Sequence, residues 1–130
     1  MAWVEVFAVL AVSHVIGDFV FQTEFQALRK FGGLGQDPVA RRALGLHVLT
    51  YTLCFLPAFA WLAGELGALP LAGTMVAVLV PHAILDDGRA VRWWLINVKH
   101  TRDPPDLLSI AVDQAFHFAA LLLVAVAVGV

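Results

Sequence analysis

Four apolar stretches, 2–21, 44–66, 69–85 and 107–130, take up most of this 130-residue chain. Each is long enough, at roughly 20 residues, to cross the hydrocarbon of a bilayer. A chain that enters lipid must satisfy its backbone N–H and C=O groups internally, so stretches of this length become helices. Only 14% of the residues are charged and 61% are hydrophobic, too little charge to clothe a water-facing surface. The predicted fold is all-α: a polytopic membrane bundle of four transmembrane helices forming one domain over 1–130. The first stretch lacks a basic segment before it and a small-x-small site after it, so it reads as a retained helix and not a cleaved signal.

The connections carry helix signals of their own. Asp37-Pro38 has an N-cap type followed by proline at the first helical position, which starts the second helix there. Asp103-Pro104 repeats the pattern and predicts the start of the fourth. Between helices three and four, Arg89, Arg92, Trp93, Trp94 and Lys99 punctuate apolar residues, a pattern that suits an amphipathic segment in the headgroup region. All eight Lys and Arg lie in the first and third connections. The positive-inside rule then puts both long connections in the cytoplasm and both termini outside.

Polar residues inside the apolar stretches mark what the bundle is for. His14, Asp18 and Gln22 recur every fourth residue, which stacks them along one face of a helix. His82 and Asp86 repeat the pair in the third helix, and Asp113 and His117 reverse it in the fourth. Helices one and three run toward the cytoplasm and helix four runs away from it, so each His lies deep and each Asp shallow. His47, early in helix two, falls at a similar level. Asp37 to His47 and Asp103 to Asp113 span equal intervals, which predicts two repeated helical hairpins.

Buried carboxylates are costly, at about 2.5–3.5 kcal/mol each on insertion scales, and call for a function or a partner. Imidazole and carboxylate four residues apart on a helix can share a metal ion. His14, Asp18, His82, Asp86, Asp113 and His117 are the candidate ligands, with Gln22, His47 and Gln114 orienting them. Zinc is the first choice of divalent ion, with manganese and iron as alternatives. The same groups also fit a proton or divalent-cation path, interhelical His–Asp hydrogen bonds that only hold the bundle together, or a haem bound by two of His14, His47, His82 and His117. Ser13, Thr50, Tyr51 and Thr52 read as ordinary helix contacts. A lone cysteine, Cys54, excludes an internal disulfide and a cysteine cluster, and a net charge of −2 gives no support for nucleic-acid binding.

On these residues the sequence resembles a family of small bacterial integral-membrane proteins grouped as a domain of unknown function. The first motif is His14, Asp18, Phe19 and Gln22; the others are His47, the His82/Asp86 pair, and Asp113, Gln114 and His117. It is more loosely similar to membrane-bound proteins described as metal-dependent hydrolases, which also place His and Asp in short apolar helices. The resemblance implies a bacterial cytoplasmic (inner) membrane protein and carries no settled activity. Where the family leads one to expect a lysine soon after the third-helix Asp, this chain has Asp87-Gly88-Arg89.

The leading expectation is a metal-dependent hydrolase whose site faces the cytoplasmic leaflet. Asp18 or Asp86 would accept the proton of a metal-bound water. Arg89 and Arg92 would hold an anionic headgroup at the rim, with a membrane lipid or lipid-linked phosphate as substrate. The outer halves of the helices are nearly bare of polar groups apart from Glu5 and Glu65, which favours a one-sided site over a transport path. Assembly into a homo-oligomer is left open.

Overall fold

In the computed structural model, which describes residues 1–129, the chain is helical throughout, with no strand among the described residues. Four helices are long and apolar enough to cross a membrane. The first is α1 (Trp3–Val15), extended by a π-helical turn over Ile16–Val20. The others are α3 (Pro38–Ala63), α4 (Ala68–Asp86) and α6 (Asp106–Val128). Two shorter helices, α2 (Glu24–Arg29) and α5 (Arg89–Asn97), lie in the first and third connections. The outward surface of the long helices is apolar: Val12, Leu53, Val76, Val80, Leu123 and Val126 are all at least half exposed. Exposed apolar area on this scale belongs against lipid.

The end of the bundle that holds the chain termini is packed mainly by apolar side chains. Val6, Leu10, Phe55, Phe59, Leu62, Val78, Leu121 and Ala125 form its core, with Met1, Leu66 and Val128 closing over it. Within lipid this core gains little from leaving solvent and is held by van der Waals contact. Gly17 allows one such contact, since a Cβ added there would lie 2.7 Å from the Tyr51 ring. Thr74, buried in the same half, donates to the carbonyl of Pro70 four residues back, as Ser13, Thr50 and Thr52 do to Val9, Leu46 and Val48. Their hydroxyls are thereby satisfied inside their own helices.

Helix boundaries follow the local chemistry, with three departures from expectation. The side chain of Asp37 accepts from the Val39 amide and caps α3 with Pro38 at its start, as the Asp-Pro pattern predicts. The fourth helix does not start at Asp103-Pro104. It starts at Asp106, because Pro104 precedes Pro105 and a residue before proline is pushed out of the α region. Gln22 does not continue the His14–Asp18 face, because the helix ends in the π turn, closed by the Phe21 N–H on the Ile16 carbonyl at 3.1 Å. The polar connection after it contains α2, which the sequence analysis does not anticipate. Thr23 Oγ1 accepts from the Gln26 amide and Gln26 Oε1 accepts from the Thr23 amide, a reciprocal cap at 3.2 and 3.1 Å.

At the same end, the two long connections are tied together by Asp87. Its Oδ1 accepts from the Leu34 amide at 2.8 Å and its backbone carbonyl from the Gly32 amide at 2.8 Å. Gly88 follows with φ +80, and a Cβ there would strike the Phe31 ring at 2.6 Å. Glycine is therefore required twice over, by conformation and by space. Beyond it, α5 buries Val91 and Leu95 and leaves Arg92, Trp93 and Trp94 exposed, so the segment is an amphipathic helix.

Candidate functional site

Each long helix brings one polar pair, four residues apart, to the end opposite the termini: His14/Asp18, His47/Tyr51, His82/Asp86 and Asp113/His117. Four of these side chains face one point. Asp18, His47, His82 and Asp86 are each at most 5% exposed, and a ligand atom from each lies within 4.8 Å of all the others. His47 Nε2 is 3.3 Å from Asp18 Oδ1 and touches Asp86 Oδ2. His82 Nε2 is 3.0 Å from Asp86 Oδ2 and 4.0 Å from Asp18 Oδ1. None of these four atoms makes a hydrogen bond with the alignment such a bond requires. Ligands about 2.0–2.2 Å from a tetrahedral ion stand about 3.3–3.6 Å from one another, within the range of the spacings here. The buried His and Asp residues can hold a metal ion.

Charge supports the same reading. With both carboxylates ionised and both imidazoles neutral, as metal ligands must be, the one ammonium in contact, Lys30 Nζ at 2.9 Å from Asp86 Oδ1, balances only one carboxylate. A buried uncompensated charge is expensive, and a divalent cation between the two carboxylates would offset it. Lys30 is held in place by Gln22, whose Oε1 accepts from Nζ at 2.6 Å while its Nε2 donates to the Asp18 carbonyl at 3.0 Å.

The expected ligands all reach this end of the bundle, and all but His14 fall into two groups that share Asp86. Asp86, Asp113 and His117 form the second, their ligand atoms also within 4.8 Å of one another. His14 stands in neither group. Its Nε2–H donates to Gln114 Oε1 at 2.9 Å and its Nδ1 accepts from the Tyr51 hydroxyl at 3.1 Å, so both ring nitrogens are occupied. His47, expected to orient ligands, instead offers Nε2 to the central point. Gln114 turns both protons of its amide to carboxylates, Asp18 Oδ2 at 3.1 Å and Asp113 Oδ2 at 3.2 Å. That leaves Asp18 Oδ1 free to face the histidines.

Three residues near the site have no role in the sequence analysis beyond packing or orientation. Tyr51 stacks on the His82 ring with centroids 3.3 Å apart and fixes the plane of an imidazole whose Nδ1 has no partner. Its position four after His47 repeats the spacing of the other pairs, a signal present in the sequence. Lys30 and Arg102 line a cavity of about 780 Å³ that opens beside Asp18, Asp86 and Asp113. Arg92 lines it too. Arg89 does not: its Nε and Nη2 bind Asp87 at 2.6 and 3.2 Å, which engages the guanidinium in the corner of the connections.

No curated protein and no solved structure matches the chain. A family model described as "Protein of unknown function (DUF3307)" matches residues 6–130, and the chain belongs to that family.

Proposed function

We propose that this protein is a membrane-embedded, metal-dependent hydrolase with its ion held by Asp18, His47, His82 and Asp86. One observation carries the reading: these residues come from three different helices, are fully buried, and bring two imidazole nitrogens and two carboxylate oxygens within 4.8 Å of one another. The nitrogen and oxygen donors favour zinc, with manganese or iron next.

When bound, the ion would supply a water of pKa about 7. Asp18 is the better proton acceptor of the two carboxylates: its second oxygen holds only a neutral amide, whereas Lys30 neutralises Asp86. Water would add to phosphorus, the P–O bond to the leaving alcohol would break, and the proton from Asp18 would go to the alcohol oxygen. The substrate class is a lipid or lipid-linked phosphate. Lys30, Arg92 and Arg102 give the cavity its anion-binding charge, while Phe19, Phe31 and Leu95 give it apolar wall.

The site belongs to a bacterial cytoplasmic membrane, with both termini outside and α5 lying in the cytoplasmic headgroup layer. The two His-x-x-x-Asp helices, α1 and α4, belong to two related hairpins. The apolar core of the terminal half supports a one-sided site over a cation or proton path, since a path needs polar groups at successive depths. Elemental analysis of protein purified without added metal tests the centre, with one tightly held ion per chain expected. Phosphate release from a lipid phosphate in mixed micelles tests the reaction. Metal-free protein, with stability lowered in the His47→Ala variant, would leave packing as the role of the cluster.

A further inference from the structure

We infer that the site has a second cation seat, formed by Asp86, Asp113 and His117, so that Asp86 bridges two divalent ions and Lys30 occupies the seat when the second ion is absent. The inference rests on the proposed metal centre and extends it.

Three observations converge on this seat. First, Asp86 presents its two oxygens to different partners: Oδ2 to His47 and His82, Oδ1 to Lys30 and, at 3.7 Å, to His117 Nε2. A carboxylate divided in this way can bridge two ions about 3.5–4 Å apart. Second, His117 is 2% exposed and its Nδ1–H donates to the Asp113 carbonyl at 2.9 Å. That bond fixes the tautomer and leaves the lone pair on Nε2, which has no hydrogen-bond partner and faces Asp86. Third, Gln114 holds one oxygen from each seat, Asp18 Oδ2 and Asp113 Oδ2, with the two protons of one amide. One side chain thus sets the spacing of both groups.

Lys30 explains why the seat can be filled without metal. Its ammonium is the cation nearest Asp86 Oδ1, and it arrives on a connection, outside the four long helices. A side chain on a connection can withdraw toward the cavity it already lines. The second ion and the ammonium would then compete, making the second seat the weaker of the two.

The test is manganese titration of the full-length protein in detergent, with bound metal counted by equilibrium dialysis and the spin state followed by electron paramagnetic resonance. Wild type is expected to take up two ions in two steps, the second giving the exchange-coupled spectrum of a carboxylate-bridged pair. His117→Ala and Asp113→Asn should each stop at one uncoupled ion. Lys30→Met should tighten the second step at least tenfold, and by more than it changes the first. If wild type and Lys30→Met both stop at one uncoupled ion at saturating manganese, the second seat does not exist and the single centre stands. Retention of the coupled pair in both His117→Ala and Asp113→Asn would also overturn it. No bound ion at all would overturn the centre and this inference together.

Discussion

Lys30 Nζ stands 2.9 Å from Asp86 Oδ1, while the other oxygen of the same carboxylate faces His47 and His82. A cation from a connection therefore neutralises a carboxylate from the interior of the bundle. The Thr23–Gln26 cap and the Gln22 side chain place it there.

Removing that cation should expose how costly Asp86 is to bury. Breaking a fully buried ion pair costs about 3–5 kcal/mol. The Lys30 side chain is 16% exposed, so about 1–3 kcal/mol is expected for Lys30→Met in metal-free protein. Zinc should restore most of the loss, because the ion takes over the neutralisation. Thermal unfolding in detergent with and without zinc measures both. An equal loss in the two conditions would mean that Lys30 supports the fold through other contacts.

His47 and His14 should separate cleanly. His47 has Nε2 at the central point, so His47→Ala is expected to abolish tight metal binding. His14 bonds Tyr51 and Gln114 and acts on the centre through these two partners. Loss of a supporting partner of this kind costs about 10–100-fold in metal affinity. Competition with a chromophoric chelator reads both values. Equal affinities for the two variants would contradict the division of roles drawn here.

The reason these two roles were not legible in the sequence is geometric. Spacing shows that His14 and Asp18 lie one turn apart, and that reading brings all four long helices and their polar pairs to one end. It does not show that the turn between them is a π turn, or that Gly17 lets the Tyr51 ring approach. Those features depend on the neighbouring helix. Lys30 was hidden for a related reason: in a connection full of charges, only the α2 cap and the docking of the loop on Asp87 single out one ammonium. By contrast, the four long helices were legible because length and apolar composition alone decide them in lipid. Asp37-Pro38 was legible because a cap is a local event, and Asp103-Pro104 misled because the following Pro105 is an equally local veto.

Asp87 makes the junction of the two connections sensitive to acid. Burial alone would raise its carboxyl pKa, but the Arg89 guanidinium and the Leu34 amide outweigh burial and hold it below the ordinary carboxylate value. A folded pKa below the unfolded one stabilises the fold above the unfolded value, about pH 4. That contribution fades as pH falls through the lower folded value. Protease cleavage within residues 31–36 should accordingly rise at low pH in the wild type. In Asp87→Asn it should be high already at pH 7 and change little on acidification. A variant that resists cleavage at pH 7 as the wild type does would show that the junction is held without this carboxylate.

The proposed chemistry depends on an asymmetry between Asp18 and Asp86. Both offer one oxygen to the central point, but their second oxygens differ in company. Asp86 Oδ1 bears an ammonium, which makes it an anchoring ligand. Asp18 Oδ2 accepts only from the neutral Gln114 amide, with no cation beside it. Asp86→Asn should therefore lose metal and turnover together, because the amide removes the charge that balances the ion and Lys30. Asp18→Asn should retain the ion with weakened affinity, since an amide oxygen still coordinates, yet lose at least 100-fold in turnover for want of a proton acceptor. Metal content and phosphate release from a lipid phosphate, measured on the same preparations, give the two readouts. An Asp18→Asn protein that keeps its ion and full turnover would remove Asp18 from the chemistry, and the base would have to be sought elsewhere along the cavity wall.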